Sequence, residues 1–380
     1  MRFTVSQALD TIEQRLTTDP LLASAIVDLA SVVRHTGLDD GRPAHLLRLG
    51  MVIDALVQRT SDHSSAVYPV ADRGLLSDLE LTSNEKMVIR RWGDDGLAEV
   101  VPELEDRVLE VAELTGLPVI SRDGYAPYQE RYGAVLQRRL TPMPGAGGVV
   151  LSGNPSGMAG SVAGAPAFPM ATPQNPVLRR LWQCPERGCS SFGEASLQAA
   201  AGGAHDGGQP PPRLRQGEPM CPRHGQRLAD VGAASPALGM LAVIQGAARR
   251  RFVVRAGSVT VVGRNPEAPG VRLGEWLDDE ALKLVSRAHL QLELLPEGLG
   301  VVDTSTNGSV VVRRSAADAP PQRVELARGR PLVLTEWDSV ELHTGVEVVN
   351  AKHWRPAGPA DVVSTVSEAP TMAFRVPPQA

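Results

Sequence analysis

Between Thr141 and Pro176 the chain is made largely of Pro, Gly, Ala and Ser with no apolar period. Such a run predicts neither helix nor strand, so the chain on each side of it must build its own core. At 380 residues both sides are long enough. A second stretch of this kind, Ala199 to Pro212, interrupts the middle of the chain, and a third, Pro356 to Ala380, ends it. The expected organisation is a unit at 1–140, a flexible linker at 141–176, a segment at 177–232, a further unit at 239–355 and a flexible tail at 356–380.

Residues 1–140 read as an all-α interaction domain. Ser6 can cap a segment with Leu9, Ile12 and Leu16 at helical spacing, and Asp19-Pro20 resembles an N-cap followed by proline in the first turn. That second helix is expected to reach His35. A third is expected over about Ala44 to Arg59 and a fourth over about Pro102 to Leu114, each with one apolar face. Tyr125, Tyr128 and Tyr132 are spaced to pack a last helix, and no cluster of acid, base or nucleophile stands out.

Bulk charge names no partner. The formal net charge is −5, without a like-charge block, so neither a basic nucleic-acid arm nor an acidic tail is visible. Only Lys86, Lys283 and Lys352 are lysines among 38 basic residues, an arginine bias that points to a GC-rich genome of the actinobacterial kind. The longest apolar stretch, Leu21 to Val33, carries Asp28 and is too short for a membrane span. The N-terminus has no apolar signal core, and three cysteines fit a reducing compartment, so a cytoplasmic protein is expected.

All three cysteines fall in one segment, as Cys184-Pro-Glu-Arg-Gly-Cys189 and Cys221-Pro-Arg-His224. Two short turns that each offer two nitrogen or sulfur ligands suit a tetrahedral zinc ion, and four ligands favour a closed structural site over an open catalytic one. The pattern resembles a zinc ribbon with three cysteines and one histidine. A redox pair of Cys184 with Cys189, or unliganded thiols, are the alternatives.

From Leu241 the grammar changes to short β-rich runs. Val259–Val262, His289–Leu295, Val301–Val302, Val310–Val312, Leu332–Leu334, Val340–Leu342 and Val346–Val349 are separated by turn residues such as Glu297-Gly298, Asn307-Gly308 and Arg328-Gly329. That spacing implies an all-β sandwich. Threaded through it are Gly263-Arg264, Ser286-Arg287-Ala288-His289 and Asp303-Thr304-Ser305-Thr306-Asn307-Gly308. Arg264 can set a planar fork of donors on phosphate oxygens, Ser286 and Arg287 can add donors, and Asn307 can clamp an extended backbone. A hydrolase triad of Ser286, His289 and Asp303 is the rival, but no nucleophile-elbow pattern surrounds Ser286.

The order and spacing of these motifs resemble the forkhead-associated (FHA) domain, over residues 239–355. The resemblance implies about eleven strands in two sheets, with recognition loops gathered at one end, and phosphothreonine-peptide binding. It implies that Arg264 and Ser286 contact phosphate, that Arg287 contacts phosphate or peptide, that Thr306 lies near the threonine methyl and that Asn307 bonds the peptide main chain. Gly263, His289 and Gly308 would shape the loops. The expected protein is a non-enzymatic adaptor in serine/threonine kinase signalling. Its partners would be phosphothreonine proteins, kinase substrates or the kinases themselves. The alternative is a nucleic-acid-binding regulator recruited through the same module. Thr365 and Thr371 in the tail are candidate phosphorylation sites.

Overall fold

The structure is a computed structural model, and it describes residues 2–60, 62–146, 148–153, 175–200, 208–267, 270–316 and 320–354. Residues 154–174, which make up most of the expected linker, and 355–380, the expected tail with Thr365 and Thr371, lie outside these.

The all-α expectation for the N-terminal region is wrong. Strands β1 (Ala23–Asp28), β2 (Ala66–Asp72), β3 (Glu99–Val101) and β4 (Val119–Ile120) form a parallel sheet in the order β3-β2-β1-β4. Helices α1 (Arg2–Glu13), α2 (Leu29–Val33), α3 (Arg48–Thr60), α4 (Ser83–Asp94), α5 (Leu104–Thr115) and α6 (Gln129–Leu136) accompany it. The misreading sits in Leu21 to Val33, where one long helix was expected and β1 followed by α2 is found. A strand buried on both faces presents the same uninterrupted apolar run as a buried helix. Its residues alternate instead: Ala25 and Val27 join the core built with α1, α3 and α4, and Ile26 joins the core built with α5 and α6. The sheet is therefore covered on both faces, in doubly wound fashion.

The first part of the expected linker is a hairpin, β5 (Thr141–Gly145) with β6 (Gly148–Ser152). Val149 and Leu151 are buried in the α/β core and Val150 points outward, a period of two that the Pro and Gly content disguised. Arg59 Nη1 donates to Leu151 O at 2.7 Å and ties the hairpin to α3.

The cysteine-bearing segment contains β7 (Arg180–Gln183), α7 (Glu194–Ala200), β8 (Arg213–Arg215), β9 (Glu218–Met220) and β10 (Ala229–Ala233). β7 pairs with β10 and β8 with β9, both antiparallel, around a small core of Trp182, Phe192, Leu228 and the three cysteines.

The C-terminal region folds as two packed antiparallel-rich sheets. Its elements are β11 (Ala237–Ile244), β12 (Ala247–Arg255), β13 (Val259–Gly263), β14 (Gly270–Arg272), α8 (Asp279–Leu284), β15 (Leu290–Leu295), β16 (Gly298–Asp303), β17 (Val310–Arg313), β18 (Gln322–Glu325), β19 (Pro331–Leu334), β20 (Ser339–His343) and β21 (Val346–Asn350). A six-stranded sheet, β12-β11-β21-β20-β17-β18, faces a five-stranded sheet, β14-β13-β15-β16-β19. Phe252, Val254, Leu290, Leu292, Val301 and Val340 are among the residues buried between them. Every strand-like run named from sequence is a strand here, and the resemblance's two-sheet layout is met.

The three regions touch through buried charge. Asp19, expected as a helix N-cap, accepts from Arg255 Nη2 at 3.0 Å, from Leu21 N at 2.9 Å and from Gly208 N at 2.6 Å, so one carboxylate joins all three. Asp62 accepts from Arg251 Nη2 at 2.6 Å and bridges to Ala248. These contacts place the α/β unit along β12, an edge strand of the six-stranded sheet. Among the described residues no helix is long and apolar enough to cross a membrane.

Candidate functional site

β13 ends at Gly263, β15 starts at Leu290 opposite Asp303, and β16 ends at Asp303, so the loops that follow or precede them leave one end of the five-stranded sheet. Backbone contact brings two of the loops together. Arg264 N donates to Ser286 O at 3.0 Å and Asn265 N to Arg287 O at 3.3 Å. A Cβ on Gly263 would lie 2.2 Å from Arg287 O, so only glycine permits this approach. The third loop closes on the second: Ser286 Oγ accepts from Thr306 N at 3.1 Å. Gly308 sits at φ 84°, in the left-handed region, and donates to Ser305 Oγ at 2.9 Å.

The side chains expected to read a ligand converge here. Arg264 Nη1 donates to Leu282 O at 2.6 Å, and Asn307 Nδ2 donates to Leu284 O at 2.8 Å. Both carbonyls belong to α8, which the sequence reading missed. Its signal was legible: Asp278 as N-cap, Asp279 and Glu280 in the first turn, Lys283 in the last. Arg287 is exposed beside the loops and adds positive charge.

His289 is buried beneath them. Its Nδ1 accepts from Ser286 N at 3.0 Å, so the proton of the neutral ring lies on Nε2, which faces Ser309 Oγ at 3.1 Å and Gly308 O at 3.3 Å. Burial holds its pKa below the ordinary histidine value. Asp303 Oδ1 accepts from Ser305 N at 2.6 Å. The imidazole therefore meets the Ser286 backbone and not its hydroxyl, and the hydrolase alternative has no wired triad.

Cys184, Cys189, Cys221 and His224 lie together, with their ligand atoms within 4.8 Å of one another. The Cys189 and Cys221 sulfurs are 3.8 Å apart, and His224 Nδ1 is 3.5 Å from the Cys184 sulfur and 3.6 Å from that of Cys221. A tetrahedral ion with bonds of about 2.3 Å to sulfur has ligand edges of about 3.8 Å, so this donor set fits a metal. The bond between Cys189 and Cys221 lowers the pKa of the Cys189 thiol and raises that of Cys221, and burial raises that of the Cys184 thiol. Between the two ligands of the second turn, Arg223 reaches out to Gly93 O at 3.0 Å and Asp94 Oδ1 at 2.7 Å, at the C-terminal end of α4.

A second concavity was not foreseen. At the C-terminal ends of the parallel strands, where the order reverses between β1 and β4, a crevice of about 370 Å³ is lined by Asp28, Asp72, Glu103, Asp106, Asp123 and Arg34, among others. These carboxylates are far apart in sequence, and only the parallel sheet gathers them, which is why no local motif announced them. Asp28 is committed to structure: its Oδ2 accepts from Tyr125 Oη at 2.7 Å and Ser121 Oγ at 3.2 Å, and burial raises its pKa. Arg213 of β8 pairs with both Glu103 and Asp106 at one wall.

No family model matches the chain, and no curated protein matches it. Solved structures to which it is similar include forkhead-associated domains. The FHA domain of human APLF in complex with an XRCC1 bisphospho peptide is 22% identical, over 30% of this chain and 98% of that one, with a TM-score of 0.22. The FHA domain of an Arabidopsis thaliana hypothetical protein is 18% identical, over 34% and 92%, with a TM-score of 0.24. The MEK1 FHA domain is 18% identical, over 30% and 88%, with a TM-score of 0.22.

Proposed function

We propose that this protein binds phosphothreonine peptides at the loop end of its sandwich and serves as a non-catalytic adaptor in serine/threonine kinase signalling. The observation that carries the reading is the meeting of Arg264, Ser286, Thr306 and Asn307, from three loops, at one end of a rigid scaffold. A phosphothreonine brings about −1.5 to −2 charges and three acceptor oxygens. Arg264 and Ser286 supply donors to it, Arg287 adds charge at the rim, and Asn307 bonds the peptide main chain. Threonine is preferred over serine because its methyl, buried near Thr306, adds roughly 0.8 kcal/mol. The partners are phosphothreonine proteins, either substrates of the kinases or the kinases themselves. Zinc held by Cys184, Cys189, Cys221 and His224 is the structural cofactor.

Calorimetry with a phosphothreonine peptide tests this reading. Arg264→Ala is expected to weaken binding roughly 10- to 100-fold, since each charge-assisted bond contributes about 1.5–3 kcal/mol, with the domain still folded. Equal affinity of the parent for the dephosphorylated peptide would sink the assignment.

A second reading is favoured by the crevice in the α/β unit, since open α/β sheets bind ligands where the strand order reverses. Its carboxylates outnumber its arginines, which suits a cationic ligand and speaks against a nucleic-acid backbone. Titration with Mn²⁺, compared between the parent and Asp123→Asn, is expected to show saturable binding that the variant weakens; no binding to the parent removes this reading.

A further inference from the structure

We propose that α8 sets the reading geometry of the phosphopeptide site and that Asp278 is its positioning residue; the proposal rests on the phosphothreonine reading above. α8 has six residues, about 9 Å of helix, far below the length at which a helix persists unaided. Its two ends are held differently. At the N-terminus, Asp278 Oδ1 accepts from Ala281 N at 2.8 Å. At the C-terminus, the Leu282 and Leu284 carbonyls have no later turn to bond. Arg264 Nη1 and Asn307 Nδ2 fill those positions, at 2.6 Å and 2.8 Å.

The two residues come from different loops, and each meets α8 through one donor only. Arg264 keeps its other N–H groups for phosphate, and Asn307 keeps its Oδ1 for a peptide N–H. Binding an already oriented guanidinium and amide avoids the entropy of ordering them on contact. Fraying of α8 would release both at once. Asp278 is exposed and holds the helix from the end opposite those carbonyls, so it acts on the ligand only through them.

The test has an arm that needs no peptide. In the free full-length protein, NMR is expected to show the Asn307 side-chain amide slowed in hydrogen exchange, and Asp278→Ala to abolish that protection. In the bound arm, Asp278→Ala is expected to weaken a phosphothreonine peptide about 5-fold, the effect of losing one cap. Asp278→Asn and Asp278→Ser, which can still accept from Ala281 N, are expected to restore affinity to within about 2-fold. Glu280→Gly, an exposed change within α8, is expected to weaken binding in the same direction. In the Arg264→Ala, Asn307→Ala background Asp278→Ala is expected to have no further effect. Unchanged Asn307 protection, failure of Asp278→Asn to rescue, or additivity with the double substitution would each overturn the proposal. A parent that binds no phosphothreonine peptide would instead overturn the underlying reading, while the NMR arm still decides the positioning role.

Discussion

At the scale of single residues, His289 is the group whose protonation the loops depend on. Its Nδ1 must accept from Ser286 N, and an imidazolium would present a second donor there. Burial makes it less basic folded than unfolded, and the same holds for His63. On acidification the unfolded chain therefore takes up protons first. Stability is full above about pH 6.5, the unperturbed histidine value, and declines as pH falls through the lower folded values. Imidazole nitrogen spectra at pH 6 are expected to show His289 neutral with its proton on Nε2; a charged ring at that pH contradicts this. Arg264, Ser286 and Asn307 stand out as candidates because each carries its motif in a loop of the sandwich: Arg264 directly after β13, Ser286 between α8 and β15, and Asn307 between β16 and β17. Gly263 was legible as special, but its reason, the close passage of Arg287 O, is a tertiary contact that no local pattern encodes.

At the scale of elements, what was legible depended on period. Seven sandwich strands, β13, β15, β16, β17, β19, β20 and β21, alternate or are bounded by turns and were named; β11, β12, β14 and β18 were not, β14 having three residues and β12 carrying Arg249-Arg250-Arg251. β1 was lost because burial on both faces erases alternation. The cysteine turns were found from spacing alone, and their coupling to α4 through Arg223 was not. That coupling gives a prediction. Treatment with a chelator, or Cys221→Ser, is expected to lower the melting temperature by about 5–10 °C and to raise amide exchange over residues 208–228. Phosphothreonine-peptide affinity is expected to stay within about 2-fold, because the side-chain bonds of Arg264, Ser286 and Asn307 run to α8 and Thr306 and not to this segment. A chain that melts identically with and without the chelator contradicts a structural metal.

At the scale of the whole molecule, buried ion pairs decide whether the regions act as one body. Asp19 and Arg255 are both largely inaccessible. Asp19→Ala leaves the arginine charge buried without its carboxylate, expected to cost about 3–5 kcal/mol. Differential scanning calorimetry is expected to resolve one transition for the parent and two for Asp19→Ala; a single, unshifted transition in the variant would show that the seam adds nothing. None of this was legible in sequence, since Asp19 and Arg255 are partners only because the doubly wound sheet brings the start of β1 to the end of β12. The same seam bears on the order of synthesis. The α/β unit leaves the ribosome first, so Asp19 and Asp62 are already in place when β12 emerges. Until it docks, β12 is an edge strand whose several arginines repel a second copy of itself. The charges that guard the nascent strand from its siblings are thus the ones that later guide it to its seat.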